Sequence, residues 1–206
     1  MKFKLIRKLK GFFYALKLHV FIPSRFFIFM GEMGNLSRWI NKYGKTTKYS
    51  DFYTSNHQYD KRYKLYEYIL ETEKLNDEID YLEFGVAKGV SFRWWAEKIK
   101  NPAAKFYGFD TFTGLPESWG PFKKGDMSGG NEPPKMDDAR VNFYQGIFQA
   151  TLLPFLKTYQ PAKRKLIHMD ADLYSSTLFV LFHLTPLINK GDIIMFDEFS
   201  VNSYKL

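Results

Sequence analysis

The chain has 206 residues, a length that predicts one main domain with a small appendage. Hydrophobic residues make up 45% and charged residues 25% of the sequence, which excludes disordered, collagen-like and multi-span membrane chains, and the absence of cysteine excludes disulfides and thiolate metal sites. The net charge of +8 is concentrated in residues 1–48, and this disfavours a nucleic-acid groove that runs over the whole protein.

The first thirty residues combine basic side chains with many phenylalanines. They begin like a signal peptide, but charged residues and Pro23 interrupt the apolar stretch, and no small-residue cleavage site follows. The same interruptions exclude a single membrane-spanning helix, which needs about 20 apolar residues. Two interpretations stay open: a helix lying in a membrane interface through Phe12, Phe13, Leu16 and Val20, or two short helices, divided at Pro23, that pack on the domain.

Residues 1–59 are interpreted as a basic, aromatic-rich helical extension, and residues 60–206 as the main domain. In chain order, the predicted elements of that domain are a helix over 60–74, a strand over 81–84, a helix over 92–100 capped by Ser91, a strand over 105–109, an irregular stretch over 111–138, a strand over 141–144, a helix over 151–158, a strand over 165–169, a helix over 177–189 and a strand over 192–196. A loop as long as the irregular stretch is typical of a lid or a binding loop. Strands that alternate with helices predict a doubly wound, parallel α/β sheet with its ligands at the carboxyl ends of the strands.

The turn after the first predicted strand suits a ligand that approaches the backbone closely, because it contains Gly85 and Gly89. Asp110 comes 21 residues after Gly89, at the end of the second strand, where nucleotide-binding sheets place an acid against ribose hydroxyls. The turn is not of the GxGxxG form, and Glu83 is compatible with a cationic sulfonium ligand but not with a pyrophosphate. A nucleoside-containing cofactor is therefore predicted, with Glu83, Gly85, Gly89, Ser91 and Asp110 as its binding residues.

Five stretches between residues 81 and 199 form an ordered series: YLEFGVAKGVSFRWWAEKI, GFDTFTGLPESW, YQGIFQATLLPFL, HMDADLYSST and IIMFDEF. They resemble the successive blocks of the macrocin O-methyltransferase (TylF-type) family of class I S-adenosylmethionine-dependent methyltransferases. The resemblance implies a Rossmann-like fold and methyl transfer to a hydroxyl of a sugar in a glycan or natural product. It also implies assistance by a divalent cation, usually Mg²⁺. It does not extend to residues 1–59.

The expected strand order makes the fourth and fifth strands neighbours, ~4.8 Å apart, which would bring Asp170 and Asp197 side by side. Two converging carboxylates repel each other unless a cation or proton lies between them, and Asp170, Asp197 and Glu198 form an all-oxygen set suited to Mg²⁺. Such a cation would lower the pKa of the attacking hydroxyl. Asp170 is also the candidate base, and Asp172 is expected to contact the cofactor. His168 is assigned no catalytic role, because a strand histidine is more often a hydrogen-bonded core residue.

Only 8 residues follow Glu198, whereas the class I fold implied by the resemblance adds two further strands to the sheet. We therefore expect a sheet that lacks these strands and a main domain that is truncated at its C-terminal end. A bare edge strand is prone to aggregation, so three explanations stay open: the chain is a fragment of a longer protein, a second copy of the chain covers the edge, or the N-terminal extension covers it.

The favoured function is a cation-assisted sugar O-methyltransferase in the cytoplasm, with the N-terminal extension either packed on the domain or in contact with the inner face of a membrane. The first alternative is a catalytically inactive remnant, which would bind S-adenosylmethionine without turnover. The second is an RNA-associated methyltransferase that uses the basic N-terminus. The nearly neutral charge of the chain after residue 48 disfavours nucleic acid as a partner.

Overall fold

The computed structural model describes residues 2–46, 60–161 and 164–197. The chain forms two units, Met1–Ser55 and Asn56–Leu206. The described elements of the first unit are helix α1 (Lys2–Ala15), a 3-10 turn (Leu18–Phe21), helix α2 (Ser24–Tyr43) and a second 3-10 turn (Gly44–Thr46). No helix in the described ranges combines the length and the apolar character needed to cross a membrane.

The first unit exposes most of its large apolar side chains. Pro23 immediately precedes α2, so the chain divides into two helices at the residue where the sequence predicts the division. Phe3 is 89% exposed, Phe12 61% and Phe21 80%, and Phe26 and Phe27 on α2 are also exposed. This unit therefore buries little of its own apolar surface.

The second unit contains the α/β domain. Its helices are α3 (Lys61–Thr72), α4 (Val90–Lys98), α5 (Phe148–Thr158) and α6 (Tyr174–Leu184), and its strands are β1 (Ile79–Phe84), β2 (Lys105–Asp110), β3 (Val141–Gln145), β4 (Arg164–Met169) and β5 (Ile193–Phe196). The described residues form one five-stranded sheet in the order β3-β2-β1-β4-β5, and every pair of neighbouring strands is parallel. The predicted doubly wound α/β fold is confirmed.

The strand order reverses between β1 and β4, which lie side by side at the centre of the sheet. Consecutive strands run outward from this point in both directions, so the loops after β1 and β4 separate and leave a crevice at the carboxyl ends of the strands. All six residues of β1 are buried, because the strand is central and both faces of the sheet are covered. The fold thus places its ligand crevice directly above its most buried strand.

Aromatic rings fill both faces of the sheet. One buried cluster contains Tyr66, Tyr81 and Trp95, and the other contains Phe84 and Phe155. Much of the unusual aromatic content of the sequence is therefore used in the core, where each ring buries a large apolar area.

The N-terminal end of α4 differs from the prediction. The helix begins at Val90, after Gly89 in a left-handed conformation (φ 71°), and Ser91 is not its cap. The hydroxyl of Ser91 instead donates a hydrogen bond to a carboxylate oxygen of Glu83 at 2.6 Å. Ser91 therefore lies in the first turn of the helix, with its hydroxyl bonded to a buried carboxylate.

Candidate cofactor and cation site

A cavity of about 710 Å³ opens at the carboxyl ends of the strands. Its walls come from the turn after β1, the end of β2 with the loop that follows, the start of α5 and the segment after β4. The volume is within the range of ~300–1,000 Å³ that small-molecule and cofactor sites occupy. The predicted location of the ligand site, at the switch in strand order, therefore coincides with a cavity of suitable size.

Gly85 begins the turn after β1 and lines the cavity. Its φ is +98°, and a Cβ atom at this position would lie 1.8 Å from the backbone oxygen of Asp170. Only glycine fits here, because both the backbone conformation and the contact with the loop after β4 exclude a side chain. Gly89 also has a positive φ, but a Cβ atom there would meet the ring of Pro134 at 2.7 Å, so Gly89 lets the long loop pack on the turn and is not part of the cavity wall.

Asp110, at the end of β2, lines the cavity and connects two neighbouring segments. Its Oδ2 atom accepts a hydrogen bond from the backbone N–H of Ala87 at 2.7 Å, and its Oδ1 atom accepts one from the backbone N–H of Phe112 at 2.6 Å. A carboxylate has about four lone-pair positions, so these bonds fix its orientation and leave capacity for further donors. Asp110 is therefore positioned to accept hydrogen bonds from a ligand in the cavity.

Glu83 is fully buried beneath the turn and is not among the residues that line the cavity. Its carboxylate accepts hydrogen bonds from the hydroxyls of Tyr81 and Ser91, at 2.5 and 2.6 Å. Burial and the adjacent Glu83 carboxylate raise the pKa of Tyr81 well above its usual value, so this hydroxyl remains a donor. The structure places Glu83 under the turn after β1, where the hydroxyls of Tyr81 and Ser91 are both directed at its carboxylate.

Asp170 and Asp197 converge after β4 and β5. Met169 pairs with Phe196 in the β4–β5 register, so the residue that follows each strand leaves the sheet at the same level. His168, Asp170 and Asp197 each offer a ligand atom, and these three atoms all lie within 4.8 Å of one another. The sequence predicted that the two aspartates meet, but it did not predict His168 as a ligand. Glu198, the third predicted ligand, lies outside the described residues.

His168 is almost completely buried, and its Nδ1 atom is 3.1 Å from the Tyr81 hydroxyl and 3.9 Å from a Glu83 carboxylate oxygen. One ring nitrogen is thus held by the network under the turn, which orients the ring in the way that outer-shell hydrogen bonds orient metal-binding histidines. Two carboxylates with one imidazole fit a divalent cation of the first transition series, such as Mn²⁺, as well as they fit Mg²⁺. The donor set is therefore compatible with the predicted divalent cation.

Arg62 on α3 is a residue of this site that the sequence did not single out. Its Nη2 atom lies 3.3 Å from Oδ1 and 3.5 Å from Oδ2 of Asp197, and both side chains are mostly buried. The guanidinium partly neutralises the charge that Asp197 brings to the cluster. Helical periodicity placed Arg62 on a helix, but no sequence signal connects it with an aspartate 135 positions later.

Asp172, after β4, and Ile147 and Phe148, at the start of α5, also line the cavity. Asp170 lines it too, so it belongs both to the cavity wall and to the cation cluster. The predicted cofactor residues Gly85, Ser91, Asp110 and Asp172 are thus brought to one cavity, and Asp170 joins this cavity to the cluster that contains Asp197.

Comparisons with known proteins agree with this geometry. Two solved structures of CalS11 match the chain at 21% identity. The first, a crystal structure described as a calicheamicin methyltransferase, has a TM-score of 0.55, and the match covers 81% of this chain and 78% of CalS11. The second, an apo structure described as a TDP-rhamnose 3'-O-methyltransferase, has a TM-score of 0.50, and the match covers 83% of this chain and 80% of CalS11. This likeness confirms the class I methyltransferase fold. No curated protein sequence matches the chain. The profile of the family Methyltransf_24, described as a methyltransferase domain, matches residues 82–199, more than half of the sequence. The chain therefore belongs to this methyltransferase family.

Proposed function

We propose that the protein is an S-adenosylmethionine-dependent O-methyltransferase that acts on a sugar hydroxyl with the help of a divalent cation. The observation that carries this proposal is the double position of Asp170, which lines the cofactor-sized cavity and belongs to the cation cluster. Methyl transfer requires the two reactants to meet at a short distance and in line. A residue that borders both sites marks the place where an acceptor would meet the cofactor.

The cavity residues supply the cofactor contacts in this proposal. Asp110 would accept hydrogen bonds from the ribose hydroxyls, because its carboxylate is already oriented by two backbone amides. Gly85 permits the close approach of the loop after β4, and Asp170 and Asp172 on that loop provide negative charge to the cavity wall. That charge favours a sulfonium over an uncharged or anionic ligand. S-adenosylmethionine, when bound, supplies the electrophilic methyl group.

Proton transfer completes the reaction. The acceptor oxygen forms a bond to the methyl carbon, the bond from that carbon to sulfur breaks, and the acceptor loses its hydroxyl proton. Asp170 is the proposed proton acceptor, because it lies between the cavity and the cluster. A cation bound to His168, Asp170 and Asp197 would lower the pKa of that hydroxyl and help to orient it. The products are a methyl ether and S-adenosylhomocysteine.

The sugar class of the acceptor is supported by the structural neighbour CalS11, whose description names TDP-rhamnose as the methylated compound. The direct test measures binding of S-adenosylhomocysteine by calorimetry and methyl transfer to TDP-rhamnose and other nucleotide sugars with Mg²⁺ or Mn²⁺. We expect binding with turnover that EDTA abolishes. Binding without turnover on any acceptor would favour an inactive remnant, and no binding would refute the proposed function.

We also propose that the first unit contacts an anionic lipid surface. Residues 1–48 carry eleven basic side chains and one acidic side chain, and exposed rings such as Phe3, Phe12 and Phe21 lie among them. Basic residues attract anionic headgroups while apolar rings enter the interface, which is the combination that interfacial helices use.

Sedimentation with vesicles tests this contact. The full chain should bind vesicles that contain phosphatidylserine, release them as salt increases, and bind phosphatidylcholine vesicles weakly. Replacement of Phe3, Phe12 and Phe21 by serine should weaken binding without changing the charge. Equal binding to both vesicle types, or strong salt-dependent binding to RNA in preference to the vesicles, would contradict the proposal.

A further inference from the structure

Helix α3 lies before the matched methyltransferase region, yet it contributes two polar side chains near the cation cluster. Arg62 and Tyr66 are four residues apart, so they lie on the same face of the helix. The ion pair between Arg62 and Asp197 joins the start of α3 to the end of β5. This ion pair fixes the helix at the point where Tyr66, one turn later, is buried.

The Tyr66 side chain is only 3% exposed. Its ring packs against Trp94 and Trp95, with centroid distances of 5.4 and 5.1 Å, and meets the ring of His168 edge-on at 5.9 Å. Its hydroxyl oxygen is buried but forms no hydrogen bond with any residue in the described part of the chain. A buried hydroxyl without a partner lowers stability, and it can donate a hydrogen bond to a ligand that binds beside it.

The position of Tyr66 identifies the kind of partner that suits it. A tyrosine hydroxyl can donate one hydrogen bond. The ring of Tyr66 is edge-on to the ring of His168, and Arg62, one turn earlier on α3, is paired with Asp197, so Tyr66 lies beside two of the three residues of the cluster. An oxygen atom held at that cluster is therefore the acceptor that this geometry offers.

We infer that Tyr66 donates a hydrogen bond to an oxygen ligand held at the His168–Asp170–Asp197 cluster, and that Arg62 positions it by fixing α3 on Asp197. This inference rests on the proposed function. The oxygen belongs either to a water molecule on the cation or to the hydroxyl of the sugar acceptor. A water molecule and a sugar hydroxyl both offer lone pairs to the Tyr66 hydroxyl, and the experiment that follows distinguishes between them.

The test uses the full chain and compares wild type with Tyr66→Phe by thermal unfolding. Without ligand, Tyr66→Phe should raise Tm by roughly 2–6 °C, because it removes an unpartnered buried hydroxyl. With Mn²⁺, the same variant should bind the cation about 3–10-fold more weakly in calorimetry, the usual effect of one lost hydrogen bond. A stabilised apoprotein with weakened ligand binding is a combination that a purely structural role does not produce.

Tyr63→Phe is the matched control, since Tyr63 lies on the same helix and its ring stacks on Trp94 at 6.2 Å. It should change neither the Tm of the apoprotein nor Mn²⁺ affinity. Weaker Mn²⁺ binding by Tyr66→Phe without sugar assigns the oxygen to water on the cation. A loss that appears only with TDP-rhamnose and S-adenosylhomocysteine present assigns it to the acceptor.

Two results would overturn the inference. A Tyr66→Phe apoprotein less stable than wild type would mean that the hydroxyl already has a partner. Mn²⁺ and TDP-rhamnose affinities of Tyr66→Phe that match those of wild type would mean that no oxygen ligand at the cluster uses the hydroxyl. If wild type binds no Mn²⁺, the comparison with TDP-rhamnose alone decides, and a matching affinity there overturns the inference. S-adenosylhomocysteine binding by wild type is read separately, so a failure of the proposed function is distinguishable from a failure of this inference.

Discussion

Gly85→Ala should be the most damaging small substitution at the site, because it affects the backbone of the turn and of the neighbouring loop together. The new methyl group would lie 1.8 Å from the backbone oxygen and 2.6 Å from the carbonyl carbon of Asp170. These are backbone atoms, so no side-chain rotation can relieve the contact. The loop after β4 must move away from the turn after β1.

Two costs combine at Gly85. A φ of +98° costs an L-residue about 1–2 kcal/mol, and overpacking against atoms that cannot rotate away costs a further ~1–3 kcal/mol. The expected loss in the free energy of unfolding is therefore about 2–5 kcal/mol, a large part of the ~5–15 kcal/mol typical of a folded protein.

Gly125→Ala separates the two costs. Gly125 has nearly the same φ, +90°, but a Cβ atom there would have nothing within 4 Å. Urea unfolding should show a loss of only about 1–2 kcal/mol for Gly125→Ala, so Gly85→Ala should be worse by ~1–3 kcal/mol. Calorimetry should also show that only Gly85→Ala weakens S-adenosylhomocysteine binding. Equal losses in the two variants would refute the argument that the contact with Asp170 requires glycine.

Three further predictions concern individual carboxylates. Asp110→Ala should weaken S-adenosylhomocysteine binding by roughly 1.5–3 kcal/mol in calorimetry, the cost of a charge-assisted hydrogen bond, and an unchanged affinity in a folded variant would contradict its role. Asp192→Ala should destabilise the protein by about 3–5 kcal/mol in urea unfolding, because the buried ammonium group of Lys165 loses this carboxylate partner. Lys165 is 1% exposed and lies 2.9 Å from Asp192. The double variant Lys165→Met with Asp192→Asn should lose less stability than Asp192→Ala alone. The hydrogen bond from Arg140 lowers the pKa of Asp138, so the stability that this pair provides is present at neutral pH and is lost progressively as pH falls below about 4. Asp138→Asn should be less stable than wild type at pH 7, and the difference should shrink as the pH falls; a difference that did not shrink on acidification would be inconsistent with this origin.

The overall fold was predictable because its signals are local. Short apolar runs alternated with helical patterns, and each strand in the structure lies within a few residues of its predicted range. The strand-end positions of Asp110 and Asp170 followed from the same pattern, since a residue that follows a parallel strand must lie at the ligand-binding edge of the sheet. The meeting of Asp170 with Asp197 required only that β4 and β5 be neighbours in register.

The orientation of Glu83 could not be predicted from the sequence. β1 is buried on both faces, so it lacks the alternation of polar and apolar residues that would assign each side chain to a face. The hydrogen bonds from Tyr81 and Ser91 that hold Glu83 below the turn depend on the packing of α4 on the sheet. The preference of Ser91 for a helix cap was overridden by the same contact.

The contact between α3 and the site also could not be predicted from the sequence. Its helical pattern was recognised, but a pattern of this kind gives the buried face of a helix and not the strand end on which that face packs. Arg62 meets Asp197 across 135 positions of sequence, and this contact is set by tertiary packing alone.

Asp170 contacts the turn after β1 through its backbone, and its carboxylate belongs to the cation cluster. The position of one segment therefore enters the binding free energy of both proposed ligands, so their affinities should be thermodynamically linked. If a divalent cation tightens S-adenosylhomocysteine binding by some factor, S-adenosylhomocysteine must tighten cation binding by the same factor. The glycine at position 85 keeps the two segments in direct contact, so a change in the loop after β4 at one site is expected to change the free energy of binding at the other.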